Sequence, residues 1–62
     1  EIIYGFIDQL KFAREMRSMD RWNATAKEAH AFCGALAAGQ HITTSEAQHL
    51  YEFIIRHGKG RP

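Results

Sequence analysis

Two stretches of the chain carry the same polar and apolar signature. Thr25-Ala26-Lys27-Glu28 and Thr43-Thr44-Ser45-Glu46 each place a hydroxyl three residues ahead of a carboxylate. This is the capping-box arrangement, in which the Thr oxygen accepts the backbone N–H three residues on and the Glu reaches back. Behind the first, Ala29, Phe32, Cys33 and Leu36 fall at i, i+3, i+4 and i+7, one apolar stripe of a helix. The pattern predicts a helix over about 25–38, closed by Gly39 in the left-handed conformation. Behind the second, Ala47, Leu50, Tyr51 and Ile54 repeat the spacing, with Phe53 and Ile55 widening the face and Ile42 placed to staple onto Ala47. Arg56 and His57 suit the negative end of this helix, over about 44–57, and Gly58 ends it.

The first segment, Glu1 to about Met19, is helical by composition but two-sided in pattern. At about 100° per residue, Ile3, Phe6, Ile7 and Leu10 share one face while Phe12, Met16 and Met19 lie roughly opposite. The face that begins apolar continues as basic Arg14, Arg17 and Arg21. A helix burying one side against its own domain does not need two apolar patches. Gly5 weakens this helix by about 1 kcal/mol relative to Ala, which a close backbone approach would explain. Asp20-Arg21-Trp22-Asn23 reads as the connection to the next helix. No segment alternates with period two, so the expected fold is all-α. It has three helices at about 1–19, 25–38 and 44–57, a helical hairpin plus a long N-terminal helix. Together they make a single helical domain over 1–57, followed by a flexible basic tail, 58–62.

Length sharpens the picture. A chain of 62 residues buries only about 60% of its unfolded surface, so its core is marginal without reinforcement. A single Cys excludes an internal disulfide framework and a Cys₄ or Cys₂His₂ zinc module. The hairpin can cover only one apolar patch of the first helix, so the second predicts an intertwined or side-by-side homodimer. Ile3, Phe6, Ile7, Leu10, Phe12, Met16 and Met19 are the candidate interface, with Arg14 and Arg17 at its edge, near Glu15 or Glu52 of a second copy. The longest unbroken apolar run is Ala35-Leu36-Ala37-Ala38, too short for a membrane span. A cytoplasmic chain with no membrane contact is the expectation.

Net charge is +1, well short of the basic excess of a dedicated nucleic-acid binder. Its distribution is uneven, with Lys11, Arg14, Arg17 and Arg21 spaced as one ridge on a continuous helix. Such a ridge can track phosphates, aided by stacking on Trp22 and Tyr51, or meet carboxylates on a partner protein, or remain a solvated face. Ala35 and Gly39 match the small residue and turn glycine of a helix-turn-helix. The would-be recognition helix, however, carries Glu46, Gln48, His49 and Glu52, and carboxylates meet phosphate unfavourably. A plain helical hairpin accounts for the same residues. Ala31, Ala35 and Ala38 line the back of the middle helix, where small residues permit close helix approach or simply favour the helix.

Catalytic and metal chemistry find little footing. His30 and Cys33 are spaced to share an ion, but Cys33 sits on the apolar stripe and no Cys pair or HExxH supplies further ligands. A stripe thiol between Phe32 and Leu36 reads as a packed, inert one. No glycine-rich phosphate loop and no paired carboxylates on one face are present. The chain is therefore expected to be non-enzymatic, with no cofactor and no metal. Its size, its three helices with two Thr-x-x-Glu caps and its lack of a catalytic motif resemble the short accessory proteins encoded in the early exo–xis region of lambdoid phages. That resemblance implies a host-cytoplasmic regulatory protein of early lytic development that acts by binding a host or phage protein. The alternative expectation is a small DNA-binding or transcription-modulating protein using the Lys11–Arg21 ridge.

Overall fold

The computed structural model describes residues 2–59 and contains three helices, α1 (Ile2–Glu15), α2 (Met19–Ala38) and α3 (Thr44–Gly58). Each packs on both others. The core is built from Ile7 and Leu10 of α1, Ala26, Ala29 and Cys33 of α2, and Ala47 and Ile54 of α3. Ile3, Phe6, Trp22, Leu50, Tyr51 and Ile55 close around it. Among the described residues the largest fully buried side chains are Leu10 and Ile54, and Phe6, Trp22 and Tyr51 are partly buried against the core. Phe6 of α1 meets Phe32 of α2 at a ring separation of 5.7 Å.

The start of α3 follows the expected capping box. Glu46 N–H donates to Thr43 Oγ1 at 3.0 Å, and Thr43 N–H donates to Glu46 Oε1 at 2.8 Å. Ile42 packs on the core that holds Ala47. Phe53 departs from expectation: it is exposed and rests against His57 at 4.3 Å instead of widening the buried face.

The first two helices divide differently from the expected 1–19 and 25–38. α1 ends at Glu15, and α2 runs from Met19 through the segment 20–23 expected to connect them. Two backbone bonds close α1: Ser18 N–H reaches the Ala13 carbonyl, and Arg17 N–H the Arg14 carbonyl, both at 3.0 Å. This is the Schellman closure, and its left-handed position falls on Arg17, with φ 56°. Ser18 then caps α2, its hydroxyl accepting from Arg21 N–H at 3.3 Å. Thr25, expected as a cap, is buried in mid-helix. Burial explains the outcome. Trp22, Ala26, Ala29 and Cys33 recur at spacings of 4, 3 and 4, a stripe that reaches the core only if the helix already exists at Trp22.

The end of α2 repeats the Schellman pattern with His41 N–H to Leu36 carbonyl and Gln40 N–H to Ala37 carbonyl, both 3.0 Å. Here the left-handed residue is Gln40, φ 61°, while Gly39 stays at φ −81° and is not the left-handed residue expected of it. Gly58, expected to begin a tail, is the buried last residue of α3. A Cβ there would lie 2.5 Å from Leu10 Cδ1, so the glycine lets α3 cross α1. Gly5 makes no such approach: a Cβ there meets nothing within 4 Å, and the same is true of Gly34. Residues 60–62 of the expected tail, and Glu1, lie outside the described residues.

These glycines give opposite expectations in denaturant melts. Gly58→Ala should destabilise by about 1–3 kcal/mol through overpacking on Leu10. Gly34→Ala and Gly5→Ala should each stabilise by about 0.5–1 kcal/mol, since helix propensity rises with no clash. At the second Schellman turn, Gln40→Gly should raise stability by about 1 kcal/mol by relieving left-handed strain. An unchanged or lowered midpoint for Gln40→Gly would contradict the turn.

Candidate functional site

The corner between α1 and α2 gathers most of the residues singled out from sequence, but sorts them into two groups. Ile3, Phe6, Ile7 and Leu10 belong to neither. They are spent on the chain's own core, with Leu10 fully buried, because α2 and α3 both pack on that face of α1. Ile3 and Phe6 are partly buried against that core, and Ile7 is buried. Phe12 and Met16 remain exposed, at 50% and 54%. The Arg21 guanidinium covers them: its carbon lies 5.7 Å from the Phe12 ring centre, and Nη1 lies 3.8 Å from Met16 Sδ. A cation over an aromatic face at this distance is attracted by the ring quadrupole.

Met19, 68% exposed, lies apart from that pair. It joins Ala13, Arg14, Arg17, Ser18 and Trp22 around a pit of about 250 Å³. Phe12 and Arg14 are two positions apart, about 200° round α1, which separates the apolar pair from the pit. Arg17 reaches the pit from its left-handed position, and the first turn of α2 begins at the pit wall. The expected ridge of Lys11, Arg14, Arg17 and Arg21 is therefore not formed as one row. The helix that would carry it ends at Glu15, and Arg21 folds toward Phe12 while Arg14 and Arg17 flank the pit.

Trp22 is the site residue that sequence reasoning placed elsewhere. Assigned to a connection, it is a wall of the pit and a partner of the core at once. Its Nε1–H is buried with no acceptor, a cost of about 1–3 kcal/mol for an unsatisfied donor. The signal that could have found it was the Trp22–Ala26–Ala29–Cys33 spacing.

On another side of the bundle, α2 and α3 enclose an open groove of about 530 Å³ lined by His30, Cys33, Gly34, Ala37, Ala47 and Tyr51 among others. The groove brings His30 and Cys33 together, as their spacing allowed. His30 stands edge-on to Tyr51 at 5.0 Å, at an interplanar angle of 89°. Cys33 is 2% exposed, and burial raises its thiol pKa above the ordinary value. Among the described residues, no three His, Cys, Asp or Glu side chains are grouped to hold a metal ion, and no helix is long and apolar enough to cross a membrane. Ala31, Ala35 and Ala38 are exposed, as are Glu46, Gln48, His49 and Glu52 on α3.

No family model, curated protein or solved structure matches this sequence.

Cys33 yields a prediction in two parts. Native protein should react with a thiol reagent far more slowly than unfolded protein, because the thiolate is the reactive form and burial disfavours it. A thiol pKa raised in the fold means that the unfolded chain loses its proton first as pH rises. Stability should therefore fall with pH above the unfolded thiol value, and Cys33→Ala should abolish that slope. Rapid stoichiometric labelling of the native chain would contradict the buried placement.

Proposed function

We propose that this chain is a small non-enzymatic interaction protein that works as a homodimer. The observation that carries the reading is the set of exposed large apolar side chains on α1 and the turn that follows it. Tyr4, Phe12 and Met16 are 58%, 50% and 54% exposed, although the chain has few large side chains to spare for its core. Tyr4 and Phe12 lie about 80° apart on the helix, with the exposed carboxylates of Asp8 and Glu15 between them. With about half of each side chain still in water, covering it would add roughly 1 kcal/mol per residue.

A second copy is the occupant whose charges suit this face. Asp8 and Glu15 lie on α1 beside Phe12, and Arg21 stands over it. The same patch thus carries both signs, which a two-fold contact sets against each other across the interface. Pairing sets the Arg21 of one copy against carboxylates of the other and leaves the pit on the far side of α1 open. The core argument agrees, since a chain of this length gains most from a partner that enlarges its apolar interior. The resemblance to early accessory proteins of lambdoid phages supports a regulatory setting in a host cytoplasm. The broken basic row weakens the nucleic-acid alternative.

Sedimentation equilibrium at micromolar concentration should report twice the chain mass. Phe12→Glu or Met16→Glu should shift the equilibrium to monomer and lower thermal stability by several degrees. A well-folded monomer whose melting temperature does not change on dilution would overturn the dimer. In a parallel titration with labelled duplex and single strand at two salt concentrations, weak binding is expected. Submicromolar binding with a steep salt slope, lost in Arg14→Glu and Arg17→Glu, would transfer the function to nucleic acid.

A further inference from the structure

We infer that the pit between Arg14, Arg17 and Trp22 is a capture site for the free C-terminus of a partner protein, taking one large apolar terminal side chain together with its α-carboxylate. This rests on reading the chain as an interaction protein, but not on the dimer. Three features of the corner converge on that ligand. The pit is about 250 Å³, below the ~300–1,000 Å³ of small-molecule sites, so it has room for about one side chain. Its apolar walls, Ala13, Met19 and the Trp22 indole, suit an aliphatic or aromatic group. Its charged walls are both arginines, whose forked donors match a carboxylate, and no acidic side chain lines it.

The backbone adds to the same field. Ser18 and Met19, the cap and first residue of α2, are themselves pit walls. The Met19 and Asp20 N–H groups belong to the first helical turn, which has no intrahelical acceptors and concentrates positive potential. The Asp20 carboxylate is exposed and is not a wall. A terminal residue carries its side chain and its carboxylate on one Cα, so the apolar group and the charge enter side by side. An internal Glu holds its carboxylate on the side chain itself, and cannot fill the pit and reach both arginines with one residue.

Arg17 carries one of the two charges. It occupies the left-handed closing position of α1, where glycine is the residue usually found and other side chains are strained. Gln40 takes the same conformation at the end of α2, so the backbone by itself marks a helix end and the side chain is what distinguishes Arg17. A glycine in place of Arg17 would remove one of the two cationic side chains that line the pit.

Trp22 is the chain's one tryptophan and a wall of the pit, so its fluorescence reports occupancy directly. The probe is a short N-acetylated peptide ending in Leu with a free carboxylate, beside the same peptide amidated at its end. A third, amidated peptide carries an internal Glu-Leu pair. The free acid should produce a saturable change in Trp22 emission, with the two amidated peptides at least tenfold weaker. Arg14→Gln and Arg17→Gln should each weaken the acid at least tenfold while keeping native helicity. Arg17→Gly should separate fold from function, raising the melting temperature while losing the binding. Equal binding of acid and amide, unaltered binding in the arginine variants, or no change up to millimolar peptide would each overturn the site. Preference for the internal Glu-Leu peptide, or for an oligonucleotide, would also overturn the C-terminal assignment. Sedimentation of the same samples distinguishes the two readings: peptide binding by a monomer leaves this site standing without the dimer, and a dimer that ignores the peptide does the reverse.

Discussion

Ser18 closes one helix and opens the next. Its N–H completes the end of α1 on the Ala13 carbonyl, and its hydroxyl takes the Arg21 N–H at the start of α2. Helix ends leave several backbone groups without partners, and here three residues, Met16, Arg17 and Ser18, close α1 and supply the one side-chain cap of α2. The rest of the architecture follows from that economy. The turn is too short to let α2 begin late, so Trp22 enters a helix instead of a loop, and its stripe reaches the core through Ala26, Ala29 and Cys33. The turn also brings the basic residues of α1 beside the N-terminal turn of α2. Without the left-handed step at Arg17 the two helices would run on as one, and neither the three-sided core nor the pit would form.

The core itself is small and relies on fit more than on bulk. Many of its buried members are alanines, with Cys33 and Gly58 also contributing small groups. Small side chains let helices approach closely, which raises packing density where few large residues are available. Leu10 against Gly58 is the clearest case, since the space a β-carbon would need is already filled. The cost of this solution is visible on the outside. Once Leu10 and its neighbours are committed inward, Tyr4, Phe12 and Met16 have no helix of their own chain to cover them. The incomplete core and the apolar surface are two results of the same shortage of interior.

The corner combines opposite electrostatic surroundings within a short distance. Arg21 lies over Phe12, where a weakly hydrated guanidinium shields apolar surface. Arg14 and Arg17 flank a cavity whose other walls are mostly apolar. Charges at such a boundary interact more strongly with an anion than they would in open water, because the effective dielectric is lower. Arg17 also ties stability to that field, since the residue that shapes the potential is the one in a strained backbone conformation. The corner is therefore where the fold and the proposed recognition compete for the same residue.

The sequence by itself determined the helical class, the presence of three helices and the location of α3. Those features depend on local chemistry: the Thr43–Glu46 box needs only four consecutive residues, and the Ala47–Ile54 stripe needs only regular spacing. It also showed that α1 carries more apolar surface than one side can bury. Tertiary structure decided what local signals left ambiguous. Thr25-Ala26-Lys27-Glu28 and Ser18-Met19-Asp20-Arg21 can both start a helix, and burial of Trp22 and Thr25 selected the second. Gly39 and Gln40 compete for the left-handed position, and the backbone closure on Leu36 and Ala37 placed it on Gln40. The four basic residues looked like a row because a helical wheel assumes an unbroken helix. The break at Glu15 redistributed them, and a pit made from two helices has no single spacing by which the sequence could announce it.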